Sequence, residues 1–412
     1  MRQEGSWLTS FLLQEYIANF FIFFLLPNFA SMKQYIRPRN IIIVLLLIIV
    51  LFILSQPYLR RALWYTTAGI EDYTIFENRT VQAGQPQPWP KHAEYNKKAI
   101  PVKFMQELKQ LHTVAYVVIQ DGKLLHEEYW EGYNDHSLSN SFSVAKTVVS
   151  LLVGIAIDEG KIKSVDQKVG DFMPHYREGR NAGLTIKDVL TMSSGLDWDE
   201  SYFNPFSVTT KAYYGDDLPS LIAGLNVVET PGKQFKYLSG NTQILALILE
   251  KATGMKISEY ASKKLWQPLG AEHNALWSLD HANGTEKAYC CLNSNATDFA
   301  RLGQLILNKG NWNGQQLISK QYMEEATHPA SYLIDAIGNP VDFYGYQFWI
   351  IKHKGMQIPY ARGILGQYIL ALPERNAVVV RLGKERAINR VGEHPTDVLL
   401  YTDAALSILD HQ

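Results

Sequence analysis

The sequence predicts an α/β chain of the α+β kind, with an antiparallel sheet built from both ends of one domain around an inserted helical region. Two hairpins and the apolar helices between them carry this reading. Residues 114–119 (Val-Ala-Tyr-Val-Val-Ile) and 124–129 (Leu-Leu-His-Glu-Glu-Tyr) read as two strand-forming runs and flank Gln120-Asp121-Gly122-Lys123. Asp-Gly between two such runs favours a tight hairpin turn. Residues 367–372 and 377–382 repeat the pattern around Pro373-Glu374-Arg375-Asn376, and an apolar-periodic helix closes the chain over residues 396–409. Strands at both ends with helices in the middle place the two hairpins in one antiparallel sheet.

Taken in order, the chain opens with an apolar stretch over residues 11–26 that also contains Gln14, Glu15 and Asn19. Residues 1–31 are either a second membrane segment or an extension ahead of a start at Met32. Residues 41–54 form an unbroken apolar run, and with its flanks the segment 40–59 reaches the ~20 residues that span a bilayer. No small-x-small cleavage site follows, so an uncleaved anchor is favoured over a signal peptide. Lys33, Arg37 and Arg39 precede the run and bias its N-terminal side to the cytoplasm, leaving the bulk of the chain outside, in the bacterial periplasm. Residues 62–100, with Pro86, Pro88 and Pro90, read as an irregular linker lying along the domain, and residues 101–412 as the domain itself.

Composition narrows the function classes. A net charge of −1 over 412 residues, with no basic stripe beyond the N-terminal region, gives no reason to expect nucleic acid. The two cysteines, Cys290 and Cys291, are adjacent and lack metal-ligand spacing, so they read as buried, unbridged small residues. His126, His136, His175 and His281 are scattered without ligand spacing, and there is no Gly-x-Ser-x-Gly.

The chemistry points to Ser143-Val144-Ala145-Lys146, which opens an apolar helix. By chance S-x-x-K arises about once in a chain of this size. Residues three apart share a helix face, so an amine is held near a hydroxyl that needs a base to become a nucleophile. The lysine serves as that base when burial lowers its pKa. Tyr237 stands on a turn before a second long apolar helix, where it is either a phenolate stabilised by Lys146 or a phenol that relays a proton. Residues 361–368, Ala-Arg-Gly-Ile-Leu-Gly-Gln-Tyr, lead into a strand with glycines that let backbone N–H groups approach a substrate carbonyl. With the Ser143 N–H they can form an oxyanion hole.

These elements, in this order, resemble the serine β-lactamase and penicillin-binding-protein superfamily, in particular its class C-like branch and the 6-aminohexanoate-dimer hydrolase-like enzymes. Residues 184–198, 213–217 and 295–303 add to the likeness, which covers about residues 100–410. The resemblance implies that Ser143 is acylated, that Lys146 is its base partner and that Tyr237 is the acid/base tyrosine of a Tyr-x-Asn motif. Here Ser239 stands in the third place, so the substrate-orienting amide is either missing or supplied by Asn241. The Gly363–Gln367 turn implies an oxyanion donor at Ile364 beside Gly363, and Tyr213 or Tyr214 resembles a substrate-contacting loop tyrosine. The family's Lys-Thr-Gly is replaced by Ile358-Pro359-Tyr360, which argues against penicillin hydrolysis and D,D-peptidase activity. The function implied is a membrane-anchored serine hydrolase of a small amide or ester, needing no metal or organic cofactor. A carboxylesterase or cell-wall peptide hydrolase of the same fold, and a non-catalytic penicillin-binding or sensor domain, are the alternatives.

Overall fold

A computed structural model describes residues 38–409, and both predicted hairpins lie in a single six-stranded antiparallel sheet. Its strands run in the order 123–129, 113–120, 377–383, 367–372, 356–363 and 349–353, so the two ends of the domain meet where Val117 pairs with Val380. The first hairpin turns through Asp121 and Gly122, both at positive φ (51° and 68°), the pairing a type I′ turn requires. The Asn376 side chain donates to the Asp121 carboxylate at 2.7 Å, tying the two hairpin turns together.

Strand alternation decides what covers each face. Tyr368, Leu370 and Val379 share a core with Val398, Tyr401 and Ala405 of the closing helix, Asp397–Leu406. Ile369 and Val378 point the other way, against Gly303 of the helix Ala296–Leu307. With both faces covered, the strands Thr113–Gln120, Gln367–Leu372 and Ala377–Gly383 are buried along their whole length.

The N-terminal expectations need correction. The chain divides after Arg60. Among the described residues no single helix is long and apolar enough to cross a membrane. The helices Pro38–Ser55 and Pro57–Tyr65 qualify only as a pair, bent by 96°. The segment 40–59 is therefore not one continuous helix. Gln56 precedes Pro57, whose ring disfavours helical geometry at the residue before it. Residues 1–31 lie outside the described residues. The stretch 62–100 is also more than a linker. Asn78–Val81 joins a second, four-stranded sheet by pairing with Ala275–Ser278, which continues through Leu292–Ser294 to Ser139–Asn140.

Candidate active site

This second sheet delivers the chain to Ser143. Ser139–Asn140 ends beside Leu292–Ser294, the Ser141 N–H donates to the Leu292 carbonyl at 2.9 Å, and the Phe142 N–H donates to the Asn140 side chain at 2.9 Å. Phe142 takes φ 45°, a left-handed conformation that turns the backbone sharply before the helix. Ser143 is the N-cap of the helix Val144–Asp158, whose residues 144–156 are all buried. Lys146, one turn in, is forced into the interior with them. Its Nζ donates to Ser143 Oγ at 3.0 Å, to Ser239 Oγ at 3.1 Å and to the Tyr289 carbonyl at 2.7 Å. Burial lowers its pKa to about 8, opposed by the negative charge of Glu200.

A second buried helix, Ser239–Thr253, supplies the partners. The Glu200 carboxylate accepts from the Ser239 N–H and hydroxyl, each at 2.6 Å, and from the Tyr202 hydroxyl at 2.5 Å. A continuous polar chain thus runs from Ser143 through Lys146 and Ser239 to Glu200 and Tyr202. The Tyr237 ring packs against Trp349 (5.5 Å between centroids) and Tyr344 (6.2 Å), and Lys146 Nζ lies 5.2 Å from its centre. Burial, reinforced by Glu200, holds the Tyr237 pKa above the ordinary phenol value, which favours the phenol over the phenolate. Asn241 does not replace the missing amide. It is fully buried, its Nδ2 donating to Met192 Sδ at 3.3 Å, because two residues into a helix its side chain has rotated away from the position of Ser239.

The strand Met356–Gly363 passes so close to the nucleophile loop that a Cβ on Gly363 would lie 2.2 Å from the Ser141 carbonyl oxygen. This contact requires a glycine and brings Ile364 to the wall of the same cavity as Ser143. The turn that follows has two left-handed residues in succession, Leu365 at φ 60° and Gly366 at φ 85°. The fully buried Arg381 donates to both of their carbonyls at 2.7 Å. Gln367 donates to the Ile364 carbonyl at 3.2 Å and to that of Gly383 at 2.6 Å.

A cavity of about 520 Å³ opens at Ser143 and is lined by Ser239, Ile364, Tyr213 and Tyr214 among others. Tyr213 donates to Asp72 at 2.6 Å, and Tyr65 stacks on Tyr214. The segment expected to be a linker therefore builds the cavity wall, where Thr66, Thr67 and Ala68 also stand. Cys290 lines the cavity as well, and here a second expectation fails: Cys290 and Cys291 are bonded to each other. The backbone takes φ 69° at Cys291, outside the extended geometry that keeps neighbouring side chains apart.

Glu200, Tyr202, Tyr289 and Arg381 were missed from sequence. Only Arg381 had a signal, as a lone charge in an otherwise apolar strand; the other three meet the site through contacts between distant segments.

Among known proteins, the Beta-lactamase family matches residues 102–401. The 6-aminohexanoate-dimer hydrolase of Paenarthrobacter ureafaciens is 28% identical over 294 residues, covering 67% of this chain and 74% of that protein. Of solved structures, a family VIII carboxylesterase superposes with a TM-score of 0.61 at 17% identity, over 78% of this chain and 99% of the other. The penicillin-binding protein homologue from Pyrococcus abyssi gives 0.54 at 19%, over 74% and 75%. These structures share the mixed α/β architecture with antiparallel sheets, and this chain belongs to the beta-lactamase family of serine hydrolases.

Proposed function

We propose that Ser143 is the nucleophile of an amide or ester hydrolase that works through an acyl-enzyme. The observation that carries this is the 3.0 Å contact between Ser143 Oγ and a lysine whose burial leaves it partly neutral near pH 8. Neutral Lys146 takes the serine proton as Oγ bonds to the substrate carbonyl carbon. The tetrahedral oxyanion is held by the N–H groups of Ser143 and Ile364. When the intermediate collapses, the bond to the leaving nitrogen or oxygen breaks, and the phenol of Tyr237 hands that atom its proton. The Tyr237 phenolate then takes a proton from water as that water attacks the acyl carbon; the bond to Ser143 Oγ breaks, Lys146 returns its proton to Oγ, and the acid leaves. The relatives named as an aminohexanoate-dimer hydrolase and a carboxylesterase support this reaction class. With Ile358-Pro359-Tyr360 where Lys-Thr-Gly would stand, penicillins are poor substrates in this reading.

A fluorophosphonate probe is expected to label the wild-type chain, and Ser143→Ala to lose the labelling together with ~10³-fold or more of esterase activity. A wild-type chain that neither labels nor turns over an ester would be a binding or sensor domain, and the hydrolase reading would fall.

The apolar segment 40–59 serves as a membrane anchor with the domain on the extracytoplasmic side. Its apolar run and the preceding Lys33, Arg37 and Arg39 support this. Retention in the membrane pellet after alkaline carbonate, with the domain digested by protease added to spheroplasts, is the expected result. Release by carbonate, or protection from the protease, would contradict it.

A further inference from the structure

We propose that the substrate carries an extended apolar chain beside its scissile ester or amide, so that this hydrolase acts on amphiphiles. The proposal rests on Ser143 being the nucleophile. The cavity that opens at Ser143 lies within the ~300–1,000 Å³ of small-molecule sites. Tyr213, Tyr214 and Leu365 line it, and so do Phe203 and Ile388. Those two side chains are 99% and 96% exposed, and Phe206 near Phe203 in sequence is 59% exposed. A single exposed apolar residue needs no explanation. Two almost wholly exposed ones in the lining of one cavity, together with its aromatic side chains, form a surface that water covers poorly and an alkyl chain covers well.

The wall residues Thr66, Thr67 and Ala68 follow the helix Pro57–Tyr65 in the chain. Glu385 and Arg386 are the charged residues on the cavity wall.

The test uses the full-length chain in phospholipid nanodiscs with two substrate series: p-nitrophenyl esters of acids from two to ten carbons, and acetate esters of alcohols of the same lengths. In one series kcat/KM is expected to rise about threefold to fourfold per methylene over the first several carbons, the gain from burying each group. Phe203→Ser combined with Ile388→Ser is expected to flatten that slope, and Phe203→Leu with Ile388→Val to retain it. If short esters are turned over but neither series rises with length, or if the serine pair leaves the slope intact, the proposal is overturned while the hydrolase stands. Absence of both turnover and fluorophosphonate labelling would remove the nucleophile assignment and the proposal with it.

Discussion

Among the described residues two lysines are buried, and the contrast between them separates burial from function. Lys146 and Lys287 are both shielded from water, both donate to a backbone carbonyl (Tyr289 at 2.7 Å, Leu279 at 2.8 Å), and both have pKa values lowered by desolvation, to about 8 and about 7. Judged by the shift alone, Lys287 would be the better base. What distinguishes Lys146 is its company, with two hydroxyls within 3.1 Å, both on the wall of an open cavity. Lys287 instead lies over the Phe76 ring, in the field of Asp280, with its Nζ donating to the Leu279 carbonyl. A perturbed pKa marks a desolvated group, and only the neighbouring atoms make it catalytic.

The most direct way to break this comparison is to exchange the two roles. Lys146→Ala should lower kcat by ~10²–10⁴-fold, whereas Lys287→Met should leave the activity–pH profile in place. The Lys287 variant should instead alter the pH dependence of stability. A lysine whose pKa is lower folded than unfolded binds fewer protons in the native state, so stability rises with pH from about 7 toward the ordinary lysine value. Thermal melts at pH 7 and pH 9 should therefore differ less in Lys287→Met than in the wild type. An activity profile displaced by Lys287→Met would undo the contrast.

Gly363→Ala comes next in size. The new Cβ would meet the Ser141 carbonyl at 2.2 Å, backbone against backbone, and neither side can rotate away. A loss of about 1–3 kcal/mol in stability is expected from such overpacking, with a fall in kcat larger than any change in KM as Ile364 is displaced. Unchanged kcat in a folded variant would remove the Gly363 turn from the chemistry.

The smallest effect sharpens the account of Lys146 itself. In the wild type kcat/KM should rise with pH through about 8, as the buried ammonium loses its proton. Glu200 holds that proton on, so Glu200→Gln should move the acidic limb to lower pH. A limb that stays in place, or shifts upward, would mean that Lys146 is not the titrating base.

The antiparallel sheet, its two hairpins and the apolar helices were legible because their signals are local. Asp121-Gly122 can adopt the positive φ of a tight turn, and the β-branched and aromatic side chains in residues 367–372 and 377–382 favour strands. Ser143 and Lys146 were legible for the same reason, since a helix holds residues three apart on one face. Where local signals conflicted, the reading failed. The apolar run suggested one continuous span, but Pro57 ends the helix at Ser55. Sequence left the substrate-orienting amide either missing or at Asn241, and helix rotation sends Asn241 to Met192.

By itself, then, the sequence determined the sheet, the serine–lysine pair and the glycine-bearing turn, because each depends on chain geometry over a few residues. Only the tertiary structure decided which atoms surround that pair. Glu200 and Tyr289 reach the site across 39 and 143 residues, and Thr66 to Ala68 come to the cavity wall from far earlier in the chain. Such contacts follow from how buried helices and sheets pack against one another, and no short-range pattern encodes that packing.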